Sequence, residues 1–210
     1  MKPFTTHRGI VACIDRANID TDLIIPKQFL KSISRTGFGE ALFHDWRYLP
    51  DGKPNNSFLL NQAPFNKASI LVAKNNFGCG SSREHAVWAV VQFGFRAVIA
   101  PSKTKEGATV PAFADIFRGN SVKNALLTIE LKENEVNQIF EAVSKKPGLE
   151  ATIDLAKQTV SVGDDGKLVL HFEIDPAVKE RLLKGLDDIG MTLENENLIR
   201  QFEASHNTQR

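Results

Sequence analysis

Asn75-Asn76-Phe77-Gly78-Cys79-Gly80-Ser81-Ser82-Arg83-Glu84-His85-Ala86-Val87-Trp88-Ala89 is the stretch whose reading decides the fold. The apolar run Ile70-Leu71-Val72 leads into it and predicts a buried strand. Gly78 and Gly80 allow a tight turn with backbone angles closed to other residues. Ser81 and Glu84 then stand three apart, the spacing of a capping box, in which the serine starts a helix and the glutamate reaches back to it. Ala86 to Val91 is apolar almost all round, so this helix is expected to be buried rather than amphipathic. Strand, glycine turn and helix together would place free backbone N–H groups, two hydroxyls and a guanidinium at one helix N-terminus. Unpaired amides and the helix dipole favour negative charge there.

Motif statistics alone favour a purely structural cap at Ser81. A serine-hydrolase elbow needs glycine two residues on each side of the nucleophile, and Arg83 fills the second position. Gly78-Cys79-Gly80 also fails as a dinucleotide fingerprint, because Arg83 stands where the third glycine belongs. A carboxylate or phosphate site remains.

The heptapeptide Gly80-Ser81-Ser82-Arg83-Glu84-His85-Ala86 resembles the signature of the swivelling domain of the aconitase superfamily. The flanking Asn76-Phe77-Gly78-Cys79-Gly80 narrows the resemblance to the small subunits of 3-isopropylmalate dehydratases. Three further segments resemble the same family in the same order: Asp20 to Leu30, Thr36-Gly37-Phe38-Gly39, and Phe113-Ala114-Asp115-Ile116-Phe117. The similarity runs from about residue 4 to about residue 200. One departure is Lys103 to Ala112, an inserted segment rich in Lys, Gly and Pro that reads as an exposed loop.

The rest of the chain narrows the class. A length of 210 residues suffices for a real core, and 42% hydrophobic with 24% charged residues is ordinary for a globular protein. No apolar run approaches the ~20 residues of a membrane helix, and the N-terminus has no signal-like apolar region, so a cytoplasmic location is expected. Cys13 and Cys79 do not make a disulfide framework and are too few to hold a cubane iron–sulfur cluster, so no metal is expected in this chain. Residues 1–105 hold 14 Lys/Arg and 7 Asp/Glu, a balance of +7, whereas residues 106–210 hold 12 and 18, a balance of −6. A positive first half suits a dicarboxylate, although a solvated basic face gives the same asymmetry. There is no basic run with interleaved aromatics, so nucleic acid is a poor candidate.

In chain order, Gly9 to Ala12 predicts a first strand and Pro26 opens a short helix carrying Phe29 and Leu30. Ala97 to Ala100 predicts a strand parallel to the one at Ile70, with the capped helix as crossover. Phe113 to Phe117 predicts a helix, Leu126 to Leu131 a strand, and Glu133 to Lys146 an amphipathic helix. Alternating runs at Ala151–Leu155, Thr159–Val162 and Leu168–Phe172 predict a meander, with Asp164-Asp165-Gly166 as a hairpin turn. Asp175-Pro176 caps a helix to Leu183. Gly185 to Thr192 then reads as a turn before a last helix to about Ala204.

The resemblance implies an α/β fold, the three-layer swivelling β/β/α domain found at the C-terminus of aconitase. Residues 1–205 would form that domain with a C-terminal helical extension, and residues 206–210 a frayed tail. It also implies a hydro-lyase subunit of leucine biosynthesis that interconverts 2-isopropylmalate and 3-isopropylmalate through isopropylmaleate. Such a subunit is inactive without a large subunit, which carries a [4Fe–4S] cluster. Ser81 would be the base, and Ser82 and Arg83 would hold a substrate carboxylate. Among the substrate-binding residues, Phe29 and Leu30 would offer an apolar wall to the isopropyl group, with Lys31 the one cation close by, its stem free to turn to solvent. Asp20, Asp22, Gly78, Gly80, Glu84 and His85 read as structural support. Asp20 and Asp22 lack a third nearby ligand for a metal, Glu84 would close the capping box, and His85 reads as a half-buried imidazole. A related dehydration of homoaconitate or a methylmalate-type acid, and a non-enzymatic anion-binding module, remain open at this point.

Overall fold

The computed structural model describes residues 1–31, 35–105, 107–164 and 166–206. Asp165 of the predicted hairpin turn, Glu106 of the inserted segment and residues 207–210 of the predicted tail lie outside that set.

Seven strands form one mixed sheet. They are β1 (Thr6–Cys13), β2 (Ile70–Val72), β3 (Ala97–Pro101), β6 (Leu127–Leu131), β7 (Glu150–Asp154), β8 (Thr159–Val162) and β9 (Leu168–His171), in the spatial order β6-β3-β2-β1-β7-β8-β9. The first four neighbours run parallel and the last four antiparallel, so β1 belongs to both halves. Its last residues, Val11 to Cys13, pair with β2, while Thr6 to Ile10 pair with β7. A mixed α/β fold with two β portions is the arrangement that the resemblance implies. The parallel centre is dry on both faces: every residue of β2 and β3 is buried. This explains why those strands read as continuous apolar runs, whereas β7 and β8 alternate.

Helices α3 (Glu84–Phe93) and α4 (Asp115–Lys123) form the crossovers β2-α3-β3 and β3-α4-β6. Of Ala86 to Val91 none is exposed, as the apolar run predicted. Helix α5 (Glu133–Lys145) buries Val136, Ile139 and Val143, and α6 (Pro176–Lys184) starts at the Asp175 cap. Short helices α1 (Thr21–Ile24) and α2 (His44–Arg47) flank a 3-10 turn at Lys27–Lys31 that carries Phe29 and Leu30.

Three expectations need correcting. The inserted segment is not a loop: β4 (Lys103–Lys105) and β5 (Ala108–Val110) pair as an antiparallel ribbon, turned at Gly107 with φ +81°. Gly185 to Thr192 is not all turn. Asp187 caps α7 (Asp188–Leu193), and the last helix, α8 (Glu196–His206), starts later and runs past Ala204. His206, expected in a frayed tail, is the last residue of α8.

Candidate functional site

Loops that follow β1, β2 and β3 emerge at the same carboxyl edge of the parallel strands, where open α/β sheets bind ligands. The loop after β2 is held on two sides. Gly78 N–H donates to Ile19 C=O and Thr21 N–H to Cys79 C=O, at 2.8 and 2.9 Å, which ties it to the loop after β1. On the other side, Phe77 N–H donates to Ala112 C=O and Ala114 N–H to Phe77 C=O, at 2.9 and 3.1 Å, which ties it to the loop after β3. Three segments far apart in sequence thereby meet around Gly78 to Arg83.

The two glycines do what the sequence required. Gly78 has φ +75° and Gly80 φ +90°. At Gly78 a Cβ would lie 2.3 Å from Cγ of Phe117, so any side chain there collides with the first turns of α4.

The capping box does not form. Because Gly80, Ser81 and Ser82 continue the turn, α3 begins at Glu84 and its cap position is Arg83, with no side-chain hydrogen bond. Glu84 is therefore the first helical residue rather than the third, and its Oε1 accepts instead from Asn124 Nδ2 at 2.9 Å. Ser81 contributes its carbonyl, which accepts from the Thr21 hydroxyl at 3.0 Å. Its own hydroxyl is not spent on the helix.

Arg83 is only 11% exposed, and its guanidinium donates to both carboxylate oxygens of Asp22, Nη1 to Oδ1 at 2.6 Å and Nη2 to Oδ2 at 3.2 Å. Those hydrogen bonds hold the Asp22 carboxyl below the usual range, against the partial burial that would raise it. Asp20 and Asp22, expected as structural support of the site, do not act as a pair. The segment is the short helix α1. Asp20 caps it, accepting from Leu23 N–H at 2.8 Å, while Asp22 reaches out to Arg83. The Arg83–Asp22 pair has no sequence signal, because 61 residues separate its members.

A cavity of about 270 Å³ opens here. Thr21, Gly78, Gly80, Ser81, Ser82 and Arg83 line it, together with the start of α4 and Asn120. The cap residues of α3 and α4, Arg83 and Ala114, both line it, and neither helix has a side-chain N-cap. Ala114, Asp115, Ile116 and Phe117 belong to this lining without having been given roles from sequence. His85 lies beside the site, packed edge-on to Phe38 and against Trp88 at ring separations of 5.2 and 4.7 Å. Phe29 lies elsewhere: with Phe38, His44 and Tyr48 it lines a cleft that, among the described residues, shares none with the serine cavity. Leu30 is half-buried and Lys31 exposed, and neither lines the serine cavity. A larger groove of about 720 Å³ runs between β6 and α6 and contains none of the motif residues.

Cys13 and Cys79 are both half-buried free thiols, and among the described residues no three His, Cys, Asp or Glu side chains come together as a metal site. The donor set of this chain thus does not fit a cubane cluster, which takes three or four thiolates. Among the described residues no helix is long and apolar enough to cross a membrane.

The model of the aconitase C-terminal domain matches residues 1–134, and that of the LeuD N-terminal region, LeuD_N, matches residues 137–176. A crystal structure of 3-isopropylmalate dehydratase (LeuD) from Methanocaldococcus jannaschii superposes with a TM-score of 0.62 at 24% identity, over 94% of this chain and 99% of that one, a likeness of fold. The 3-isopropylmalate dehydratase small subunit of Desulforapulum autotrophicum is 52% identical over 208 residues, spanning 99% of this chain and 97% of that protein. With a serine-arginine turn at the carboxyl edge of its sheet and near-full-length identity of this order, the chain belongs to the 3-isopropylmalate dehydratase small-subunit family.

Proposed function

We propose that this chain is the small subunit of a 3-isopropylmalate dehydratase, a hydro-lyase of leucine biosynthesis that interconverts 2-isopropylmalate and 3-isopropylmalate through isopropylmaleate in the cytoplasm. The observation that carries the reading is the shared cavity of Ser81, Ser82 and Arg83 beneath two uncapped helix N-termini, in a chain of this family. Neither nucleic acid nor a membrane takes part.

The reaction removes a proton from a carbon next to a carboxylate and releases a hydroxyl from the neighbouring carbon. Ser81 is the base. Its hydroxyl is free of the capping role, and an alkoxide there lies where amide dipoles and the Arg83 charge stabilise an anion. Exclusion of water by a partner subunit strengthens both. Arg83 holds one substrate carboxylate beside Ser82. Asp22 occupies two of the five guanidinium N–H donors and leaves three, so it orients the fork without consuming it.

Charge sets a limit on what this chain does alone. Among the described residues the cavity lining holds one guanidinium, that of Arg83, and one carboxylate, that of Asp115, while Asp22 beside it is already bonded to Arg83 and within reach of the Lys27 charge. A dicarboxylate therefore finds the cation for its second carboxylate on the large subunit. The Lewis acid that loosens the hydroxyl belongs there too, as a [4Fe–4S] cluster, since the donors of this chain do not fit one.

The test is co-purification with the large subunit and an assay of isopropylmaleate formation and hydration. Turnover only in the complex is expected. Turnover by the isolated chain, or a complex inert on both isopropylmalates, overturns the reading.

A further inference from the structure

Gly80, Ser81 and Ser82 are exposed, so the turn they form needs a fixed support if the Ser81 hydroxyl is to stand in one place. Among the described residues that support comes from Thr21, the first residue of α1, which is buried. Its backbone N–H donates to Cys79 C=O at 2.9 Å and its hydroxyl to Ser81 C=O at 3.0 Å. One residue thus holds the carbonyls on both sides of Gly80. A Cβ at Gly80 would lie 3.4 Å from Thr21 Oγ1, so threonine and glycine already meet closely. Among the described residues no other side chain hydrogen-bonds to Gly80, Ser81 or Ser82.

We infer that Thr21 is the positioning residue of the base: its hydroxyl fixes the Ser81 peptide unit and thereby the direction in which the Ser81 side chain points. The inference rests on the dehydratase reading above. The carbonyl that Thr21 holds is bonded to the Cα carrying the Ser81 hydroxymethyl group, so any rotation of that unit moves Oγ. The donor is itself stiff, because a β-branched side chain has few χ1 choices. It is also buried, and a buried hydroxyl keeps its partner because little water is there to replace it. Asp22, the next residue, holds Arg83 through separate bonds. Base and carboxylate clamp are therefore anchored by adjacent residues of α1, and loss of the Thr21 hydroxyl loosens the first while leaving the second in place.

The experiment compares Thr21→Val, which keeps the shape and removes the donor, with Thr21→Ser, which keeps the donor, in the two-subunit complex acting on 2-isopropylmalate. Ile153→Val, a core change in β7 of the antiparallel half, serves as the control for general destabilisation. Thr21→Val should lower kcat about ten- to hundred-fold, the cost of a small misplacement, with KM within about three-fold. Thr21→Ser should recover most of kcat, and Ile153→Val should leave it near wild type. Hydrogen exchange in the small subunit should quicken at the amides of Gly80 to Arg83 in Thr21→Val and stay unchanged there in Ile153→Val. Should Thr21→Val fail to fold, Thr21→Ala takes its place with the same expected outcomes. Wild-type kcat in the variant without the hydroxyl would overturn the inference. So would an equal loss in Ile153→Val, no recovery in Thr21→Ser, or a rise in KM alone, which would assign Thr21 to the carboxylate clamp. A wild-type complex inert on both isopropylmalates would strike the functional reading, whereas unchanged exchange at the turn in Thr21→Val would strike the positioning role by itself.

Discussion

Asp22 grips both terminal nitrogens of Arg83, at 2.6 and 3.2 Å, across 61 residues of chain. The pair joins the turn after β1 to the turn after β2, so the direction of the guanidinium is set by a residue from a different loop. Asp22 is 47% exposed, and a solvated pair of this kind contributes at most ~1 kcal/mol to stability. Its weight is expected in the chemistry.

Asp22→Asn should therefore reduce kcat/KM of the complex by about one to two orders of magnitude, since small misplacements of a substrate clamp are costly. Thermal stability should fall little. Arg83→Lys keeps the charge but loses the planar fork, and should show a loss of similar size. Wild-type kinetics in both variants would remove Arg83 as the carboxylate holder.

The same pair gives a signed pH dependence. The hydrogen bonds of Arg83 depress the Asp22 carboxyl, so its contribution is present above the unfolded value of about 3.9 and disappears as pH falls through the folded one. Wild type and Asp22→Asn should differ in denaturant midpoint between pH 5 and 8 and converge in acid once pH falls below the depressed folded value. A difference that grows in acid would reverse the assignment.

Ser81→Ala should abolish turnover yet leave folding unchanged within about 0.5 kcal/mol. Loss of a working N-cap would cost ~0.5–2 kcal/mol, but α3 takes no side-chain cap from Ser81. Calorimetry on the subunit with steady-state assay of the complex reads both arms. A clear loss of stability would reinstate the cap.

Gly78→Ala and Gly80→Ala separate strain from collision. Both positions have positive φ, worth about 1–2 kcal/mol for a side chain. At Gly78 the new Cβ also meets Phe117 at 2.3 Å, whereas at Gly80 the nearest atoms are 3.4 Å away. Denaturant titration should place Gly78→Ala about 1–3 kcal/mol below Gly80→Ala, the usual range for overpacking.

The two thiols should be sluggish. Burial pushes Cys13 up to about 12, and burial followed by the charge of Asp20 raises Cys79 as well. At pH 8 the thiolate fraction of Cys13 is then roughly a thousand-fold below that of a free cysteine with its pKa near 8.5. Peptide mapping after brief iodoacetamide treatment should find Cys13 unmodified and Cys79 modified more slowly than a free thiol. Rapid alkylation of Cys13 would contradict its burial.

The order of elements was written locally. Ile70 to Val72 and Ala97 to Ala100 announce buried parallel strands because apolar runs need no partner to be read, and Gly78 and Gly80 announce a left-handed turn because few other residues adopt one. The alternation in β7 and β8 and the Asp175-Pro176 cap were legible for the same reason. The helix start after the glycine turn was not. Ser81 to Glu84 satisfies the capping box in spacing, but the turn runs two residues further, and Asn124, 40 residues away, claims the glutamate. Nor could sequence tell that Lys103 to Val110 folds on itself as a ribbon, where a solvated strand pair has the composition of a loop.

Site residues divide in the same way. Ser81, Ser82 and Arg83 announce themselves within one heptapeptide, because a helix N-terminus, its glycines and its hydroxyls are neighbours in the chain. The partner of Arg83, the separation of Phe29 from the serine cavity and the presence of the start of α4 beside Ser81 were decided by tertiary structure. Each depends on which loops meet at the carboxyl edge of β1, β2 and β3. That meeting is set by strand order and burial over the whole sheet, and no local spacing encodes it.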